Sequence, residues 1–209
     1  FQYTGTTGTV NFKLTSGTAD TYANQWAGHS FTVDAVNSVG YCGCNLSNNT
    51  ASLTQNAWYT LVFQDQGYTT TNVSLMETSA EPVSISSTSR TTAPSVNPAP
   101  GQDVDIDVTL SGVKSADERV YLIYTANGWS TRSYLEITDF GGTATGSTTI
   151  PGQAGGATVQ YYVMTSTMDL FGVSADETSY DLRTIGVGGS GSYTVATTWE
   201  AAASPSSSS

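Results

Sequence analysis

Residues 120–163 read VYLIYTANGWSTRSYLEITDFGGTATGSTTIPGQAGGATVQYYV, and this stretch decides the fold. Apolar and polar side chains alternate with a period of two over residues 120–125 and again over residues 134–138. Such alternation is typical of half-buried β-strands. The pair Asn127-Gly128 lies between the two runs, and Asn-Gly is a strong hairpin signal because both turn positions tolerate positive φ. The stretch therefore predicts an antiparallel hairpin within a β-sandwich or barrel.

The charge balance limits the partners that this chain can bind. The 209 residues carry a formal net charge of −11 and include only six lysines and arginines. Nucleic acids and anionic lipid surfaces are bound by clustered basic side chains, and none are clustered here. No apolar run approaches the ~20 residues of a membrane-spanning helix. We therefore expect no nucleic-acid partner and no membrane span.

The composition also suggests where the protein works. Only 11% of the residues are charged, whereas globular proteins on average contain about a quarter. The surface must therefore be built largely from serine and threonine hydroxyls and from amides, a pattern common in exported β-proteins. The sequence begins with Phe1 and not with methionine, which fits either a removed signal peptide or a fragment. We expect an extracellular or cell-surface protein whose signal peptide has been removed.

The strand patterns divide the chain into two β-domains. We expect an N-terminal β-sandwich domain at residues 1–82 and a second sandwich at residues 103–198. Residues 83–102 are rich in serine, threonine and proline, which predicts a linker that leads into the first strand of the second domain. Residues 199–209 form a Ser-rich tail.

Individual strands are predicted from alternation and from the turn residues between them. Those of the first domain are residues 10–14, 30–36, 58–64 and 72–77. Those of the second are residues 104–110, 120–124, 134–138, 144–150, 159–165 and 193–197, with a further candidate at 180–185. Residues 58–64 are the most apolar and are predicted to lie in the centre of their sheet. The glycine-rich run 186–191 is predicted to be a flexible turn.

Four segments of the second half carry a resemblance to a known family. SVNPAPGQDVDIDVTLSG, VYLIYTANGWST, TTIPGQAGGATVQYYVMTST and DLRTIGVGGSGSYTV resemble an immunoglobulin-like β-sandwich module of secreted bacterial surface proteins and multidomain hydrolases. The resemblance covers about residues 94–195. It implies an all-β chain, which we interpret as two consecutive immunoglobulin-like antiparallel β-sandwich domains. It implies no catalytic residue, because such modules serve as spacers, adhesion units or binding units.

The two cysteines, Cys42 and Cys44, are separated by a single glycine. Two thiols cannot by themselves fill a four-ligand zinc site, and an even count in an exported protein favours a disulfide. Residues two apart in a straight strand lie near the Cα–Cα limit of ~6.8 Å for such a bond. Three states remain open: a local bond, which is favoured, bonds between chains, and free thiols.

Acidic residues offer candidate sites for Ca²⁺, although no cofactor is otherwise expected. Asp103, Asp105 and Asp107 alternate with apolar residues, so their carboxylates share one face of a strand. Such carboxylates lie ~6.6 Å apart, which suits a solvated face better than convergent coordination of one ion. A loop-like acidic group is the better Ca²⁺ candidate, and it consists of Asp169, Asp176, Glu177 and Asp181.

Other residues are singled out by their surroundings. His29 is the only histidine, and no familiar catalytic motif is present, so we expect no enzymatic activity. Trp129 follows the predicted turn and is a candidate for stacking on a glycan, the alternative being that it packs within the hairpin. Three Asn-X-Ser/Thr sequences make Asn45, Asn48 and Asn72 candidate glycosylation sites.

The sequence therefore favours a non-enzymatic extracellular structural protein that forms a filament, sheath or surface layer. Phe1, Tyr3 and Trp199 are candidate assembly residues, because a terminal strand can complete the sheet edge of a neighbour. The expected partner is another copy of the chain, in a homo-oligomer or polymer, with glycans as a second partner. The alternative hypothesis is a carbohydrate-binding or spacer region of a secreted bacterial hydrolase.

Overall fold

The computed structural model describes residues 1–16, 24–93 and 96–198. Over these residues the chain forms sixteen strands in five small sheets and one short helix. The prediction of an all-β protein is thereby confirmed. Within the described ranges, no helix is long and apolar enough to cross a membrane.

The first half contains nine strands. They are β1 (Gly8–Phe12), β2 (Leu14–Thr15), β3 (Gln25–Trp26), β4 (Ser30–Phe31), β5 (Ala35–Val39), β6 (Tyr41–Cys42), β7 (Asn49–Leu53), β8 (Trp58–Phe63) and β9 (Thr71–Thr78). Three sheets result, with the strand orders β1-β7-β4, β2-β3-β6 and β5-β9-β8. β4 pairs with β7 in parallel, and the other pairs are antiparallel.

One apolar core joins sheets β1-β7-β4 and β5-β9-β8. Its buried residues are Trp26, Phe31, Val39, Ala51, Leu53, Ala57, Tyr59, Val73 and Leu75. The predicted strand 30–36 is wrong as a single strand, because Asp34 has a left-handed φ of 56° and separates β4 from β5. The Asp34 carboxylate fixes this turn by accepting a hydrogen bond from Glu77 N at 3.0 Å.

The second half contains seven strands and the helix. They are β10 (Ile85–Arg90), β11 (Val104–Leu110), β12 (Arg119–Thr125), β13 (Ser133–Glu136), β14 (Thr145–Ile150), β15 (Thr158–Ser166), α1 (Glu177–Asp181) and β16 (Gly186–Thr194). Two antiparallel sheets result, with the orders β10-β11-β14 and β13-β12-β15-β16. β11 has the predicted bounds, and β12 to β15 fall within two residues of theirs.

The two sheets of the second half share one core. The alternation along β11 places Val104, Ile106, Val108 and Leu110 in it, and all four are buried. A second apolar cluster covers the opposite face of β12 and β15, where Tyr121, Ile123 and Met164 are buried together with Leu170 and Tyr180. Both faces of β12 and β15 are therefore covered, which explains why β12 reads as almost continuously apolar.

Three sequence predictions for the second half are wrong. Residues 85–90 of the predicted linker form β10, which pairs with β11. The candidate strand 180–185 is instead occupied by the end of α1 and the turn after it, because Asp176 caps this helix by accepting a hydrogen bond from Ser179 N at 2.7 Å. The glycine-rich run 186–191 belongs to β16 and pairs with β15.

Close packing explains why a strand here is rich in glycine. Thr88 Oγ1 of β10 donates to Gly189 O at 2.8 Å. A Cβ atom on Gly189, whose φ is +59°, would lie 2.5 Å from Thr88 Cγ2. A Cβ atom on Gly191 would lie 2.3 Å from the Tyr161 hydroxyl. The glycines thus let β10 and Tyr161 approach the backbone of β16.

The two halves contact each other through the outer face of β9. Ser74 and Met76 are buried although they point away from the core of the first half. The Ser74 hydroxyl donates to Leu182 O, and Ser166 Oγ lies 4.0 Å from Met76 Sδ. Nearby, the buried Glu118 accepts a hydrogen bond from Val83 N at 3.3 Å.

Candidate functional site

The first three residues lie against β8 as a short antiparallel strand. The Phe1 nitrogen donates to Tyr59 O at 2.9 Å, and Tyr59 N donates to Phe1 O at 2.8 Å. Tyr3 N donates to Ala57 O at 2.9 Å, and Asn56 N donates to Tyr3 O at 2.7 Å. The rings of Phe1 and Tyr59 are stacked, with centroids 5.7 Å apart. The candidate assembly residues Phe1 and Tyr3 therefore pair with a sheet edge inside their own chain.

β8 is an edge strand, so the prediction that it lies in the centre of its sheet is wrong. Among the described residues it pairs only with β9 and with residues 1–3. Natural sheet edges usually carry charges, prolines or bulges that prevent pairing with other chains. Residues 57–64 read AWYTLVFQ, with no charge and no proline, and the pairing with β9 has no register shift.

Part of this edge is open. Tyr59 exchanges both of its backbone hydrogen bonds with Phe1, so its N–H and C=O point away from β9. Because backbone groups alternate along a strand, those of Leu61 and Phe63 point to the same side. Within the described part of the chain, neither residue has a backbone partner there. Four backbone groups therefore have no backbone partner among the described residues, beside the segment that residues 1–3 occupy.

An apolar groove of about 320 Å³ lies beside the open edge. It separates β1, the edge of one sheet, from β8, the edge of the other. Its lining residues are all apolar, and they are Phe1, Val10, Phe12, Ala51, Leu53, Leu61 and Leu75. Phe1 is 64% exposed and Leu61 is 36% exposed. Exposed apolar groups that cluster in this way are more typical of an interaction site than of surface that stays in contact with water.

Trp129 occupies a strained position in the connection between β12 and β13. Gly128 and Trp129 both have a φ of 67°, so the left-handed positions are shifted by one residue from the predicted Asn127-Gly128 turn. A bulky residue in this region is uncommon, and such strain concentrates at functional sites. The Arg132 guanidinium lies 5.3 Å from the Trp129 ring centroid, and the Tyr162 ring lies 5.4 Å from it. Trp129 is therefore partly packed by its own chain and half-buried.

Two open grooves flank the pair Trp129 and Tyr162. The first, of about 300 Å³, is also lined by Arg132, Glu177, Asp181, Thr184 and Val187. The second, of about 430 Å³, is also lined by Gln160, Tyr161, Ser190, Gly191 and Ser192. Burial raises the pKa of Tyr162 further above neutral pH, where a tyrosine hydroxyl is protonated in any case and can donate. Aromatic rings beside several polar groups form a surface that can bind a small polar ligand.

The carboxylates on and just before β11 bind their own chain. Asp105 accepts hydrogen bonds from Thr149 Oγ1 at 2.7 Å and from Thr92 Oγ1 at 2.8 Å, and these bonds lower the pKa of Asp105. Asp103 accepts a hydrogen bond from Gly152 N at 2.8 Å. The predicted carboxylate face is present, and it links β11 to the segments beside it.

Three of the four loop acids proposed as Ca²⁺ ligands are also engaged elsewhere. Asp176 caps α1, Glu177 pairs with Arg132 at 3.2 Å, and Asp169 pairs with Arg119 at 3.6 Å. In the ranges that the structure describes, no group of three or more histidines, cysteines, aspartates or glutamates could hold a metal ion. The structure does not bring the loop acids together as an ion site.

Cys42 and Cys44 lie at disulfide distance, with their Cα atoms 5.1 Å apart. Of the three states that the sequence left open, this geometry fits the local bond. The Cys44 carbonyl also accepts a hydrogen bond from the buried Gln25 side chain, which attaches the pair to β3.

His29 packs against an aromatic ring and a buried amide of its own chain. Its ring meets the Phe31 ring edge-on, with centroids 5.2 Å apart, and its Nε2 lies 3.4 Å from Asn37 Oδ1. Asn37 is buried and is bonded mainly to backbone groups around β5, such as Thr32 O at 3.0 Å. The histidine therefore stands beside a fixed amide.

The three candidate glycosylation sites differ in their surroundings. Asn48 is exposed. Asn45 is also exposed, but its Oδ1 accepts a hydrogen bond from Lys13 Nζ at 2.8 Å. Asn72 lies half-buried on β9, and its amide donates to Gln64 Oε1 at 3.0 Å. Glycosylation of these residues stays a prediction, and Asn48 is the best placed.

Sequence reasoning missed Leu61 and Phe63 as site residues, although the uncharged run around them was a usable signal. Trp199 and the tail 199–209 lie outside the described residues.

A scan against protein-family models finds no match for this chain, and searches of curated proteins and of solved structures find none either.

Proposed function

We propose that this chain is a non-enzymatic structural subunit of an extracellular assembly, such as a filament, sheath or surface layer, joined through terminal strands and sheet edges. The observation that carries the proposal is the pairing of residues 1–3 with β8. This pairing supports strand addition as the joining contact, since no described residue pairs with the same edge past Tyr59. The low content of charged residues and the cysteine pair at disulfide distance support the extracellular location.

We also propose that residues 85–195 form an immunoglobulin-like sandwich. Numbered within this unit, its sheets have the strand orders 1-2-5 and 4-3-6-7, and they share one apolar core. This arrangement supports the family resemblance, since immunoglobulin-like domains divide about seven strands between two sheets in this manner. Such a unit would act as a spacer that sets the distance between joining contacts.

Electron microscopy of the purified protein tests the assembly. We expect ordered polymers or sheets, and we expect a deletion of residues 1–3 to change or abolish them. A deletion of residues 199–209 tests the Trp199 prediction in the same way. Unchanged polymers from both deletions would contradict assembly by terminal strands, and a chain that stays monomeric at every concentration would contradict the proposed function as a whole.

Trp129 and Tyr162 favour a second candidate function, which is carbohydrate binding within a secreted hydrolase. The supporting observation is the aromatic pair between two grooves lined with polar side chains. Affinity electrophoresis in gels that contain starch, cellulose, xylan or chitin tests it. Retardation by one glycan that is lost in Trp129→Ala, but kept in the remote variant Trp58→Phe, would support this function. Equal migration in all gels would exclude it for these glycans.

A further inference from the structure

We infer that β8 pairs with β8 of a second copy of this chain, antiparallel and across a two-fold axis. This contact would be one joint of the assembly proposed above, and it rests on that proposal for its biological role. The experiments below distinguish a failure of the β8 pair from a failure of the proposed function. The open edge at Leu61 and Phe63 and the groove beside it support this pairing.

The edge is suited to pair with itself. The strand reads WYTLVF, and its side chains are apolar, aromatic or β-branched, which are the types that favour strand formation. No charge lies between Ala57 and Gln64, so two copies that meet along this edge place no like charges opposite each other. The edge already accepts one strand, since residues 1–3 pair with its first part.

The geometry determines the register. Residues 1–3 occupy the edge as far as Tyr59, so a second β8 can use only the part beyond it. The free backbone groups there belong to Leu61 and Phe63, and only one antiparallel register pairs all of them with those of the second copy. Leu61 is then opposite Phe63 of the partner, and Val62 is opposite Val62 of the partner on the two-fold axis.

The groove favours the same arrangement. Because the two-fold axis is normal to the sheet, the core-facing side chains of both strands lie on the same face of the joined sheet. The two grooves therefore become continuous. Leu61 of each copy, 36% exposed in the single chain, then packs against the apolar lining of its partner. Burial of this surface supplies a favourable free energy that the hydrogen bonds alone do not provide.

The register makes a sharp test possible by cysteine crosslinking. Val62 and its symmetry mate form a non-hydrogen-bonded pair, whose Cα atoms lie about 4.5 Å apart. That distance is inside the disulfide range of about 4.4–6.8 Å, so Val62→Cys should give a covalent dimer on a non-reducing gel. Thr60→Cys is the matched control, because Thr60 lies about 13 Å from its mate in this register and should not crosslink. The described cysteines are already paired with each other, so the new thiol is the reactive one.

Sedimentation velocity supplies an independent measurement. Leu61→Lys places a charge at the centre of the joint and should weaken association about tenfold or more. Val113→Lys is the control, since Val113 is 62% exposed on the second half and should leave association unchanged. Circular dichroism verifies that both variants are folded.

The outcomes separate the two claims. Crosslinking of Val62→Cys but not of Thr60→Cys, with loss of association in Leu61→Lys, supports the β8 pair even if electron microscopy finds no polymer. Ordered polymers that persist in Leu61→Lys would overturn the pair and leave the proposed function intact. Loss of association without a Val62 crosslink would also overturn it, because the edge would then bind some other strand.

Discussion

The effect of Gly189→Ala on the free energy of unfolding should have opposite signs if residues 186–191 are a flexible turn and if they belong to strand β16. If residues 186–191 were a flexible turn, Gly189→Ala would stabilise the protein by about 0.4–1 kcal/mol, because alanine restricts the unfolded chain. In the structure, Gly189 has a φ of +59° and its backbone lies against Thr88. The new methyl group would lie 2.5 Å from Thr88 Cγ2 and 2.9 Å from Ile85 Cγ2. The substitution should therefore destabilise.

The magnitude follows from two contributions. An alanine in the left-handed region is less stable than glycine by about 1–2 kcal/mol. Forcing a methyl group into a packed contact adds about 1–3 kcal/mol. After the entropic gain of the substitution, we expect Gly189→Ala to lower the free energy of unfolding by about 2–4 kcal/mol. Gly128→Ala is the matched control, since Gly128 has a φ of +67° with no atom within 4 Å of the added group, and it should lose only about 1 kcal/mol.

Urea denaturation followed by circular dichroism measures these differences. The double variant Thr88→Ser with Gly189→Ala removes the clashing Cγ2 and keeps the hydroxyl that donates to Gly189 O. It should recover about 1 kcal/mol relative to the sum of the single variants, a coupling expected of residues in contact. A neutral or stabilising Gly189→Ala, or two substitutions that are strictly additive, would refute the packing of β10 on β16.

Two further predictions concern a buried carboxyl group and the cysteine pair. Glu118 is fully buried, its Oε1 has no hydrogen-bond partner among the described residues, and burial raises its pKa. A carboxyl whose folded pKa exceeds its unfolded value binds more protons when folded, so its contribution to stability is lost as pH rises. Glu118→Gln should thus raise the free energy of unfolding at pH 7 by about 1 kcal/mol, and the gain should shrink as pH falls toward 4, in denaturation curves at each pH. Reduction of the pair Cys42 and Cys44 should lower stability by no more than about 1.5 kcal/mol, because the bond closes a very short loop, and a larger loss in denaturation with and without reductant would contradict this.

Alternation predicted most of the second half because the pattern there is local. Along β11, exposed positions such as Asp105 alternate with buried positions such as Val104, and this alternation predicted the bounds of the strand. The strands β3, β6 and β7 were not predicted, since two of them have only two residues and the third, NTASL, is polar. Such short or polar strands form because other strands, distant in the sequence, pair with them. The residues of the strand alone contain no sign of that partner strand.

The candidate site was the least predictable part for the same reason. An apolar strand reads alike whether it lies in the centre or at the edge of a sheet, so β8 was placed in the centre. Its position depends on which strands remain to cover it, and only residues 1–3 do so within the described chain. The involvement of Phe1 and Tyr3 in strand pairing could be anticipated from two aromatic side chains with no local core. Their partner could not, because it lies more than fifty residues away in the sequence.

Hydrogen exchange at two backbone amides tests assembly through the β8 edge most directly. In dilute protein, the N–H groups of Leu61 and Phe63 face an open edge and should exchange quickly, whereas that of Val62 faces β9 and should be protected. Concentration into the assembled state should slow exchange at Leu61 and Phe63 at least tenfold, with no change at the exposed Val113. Unchanged exchange at Leu61 and Phe63 in assembled material would show that the subunits join elsewhere.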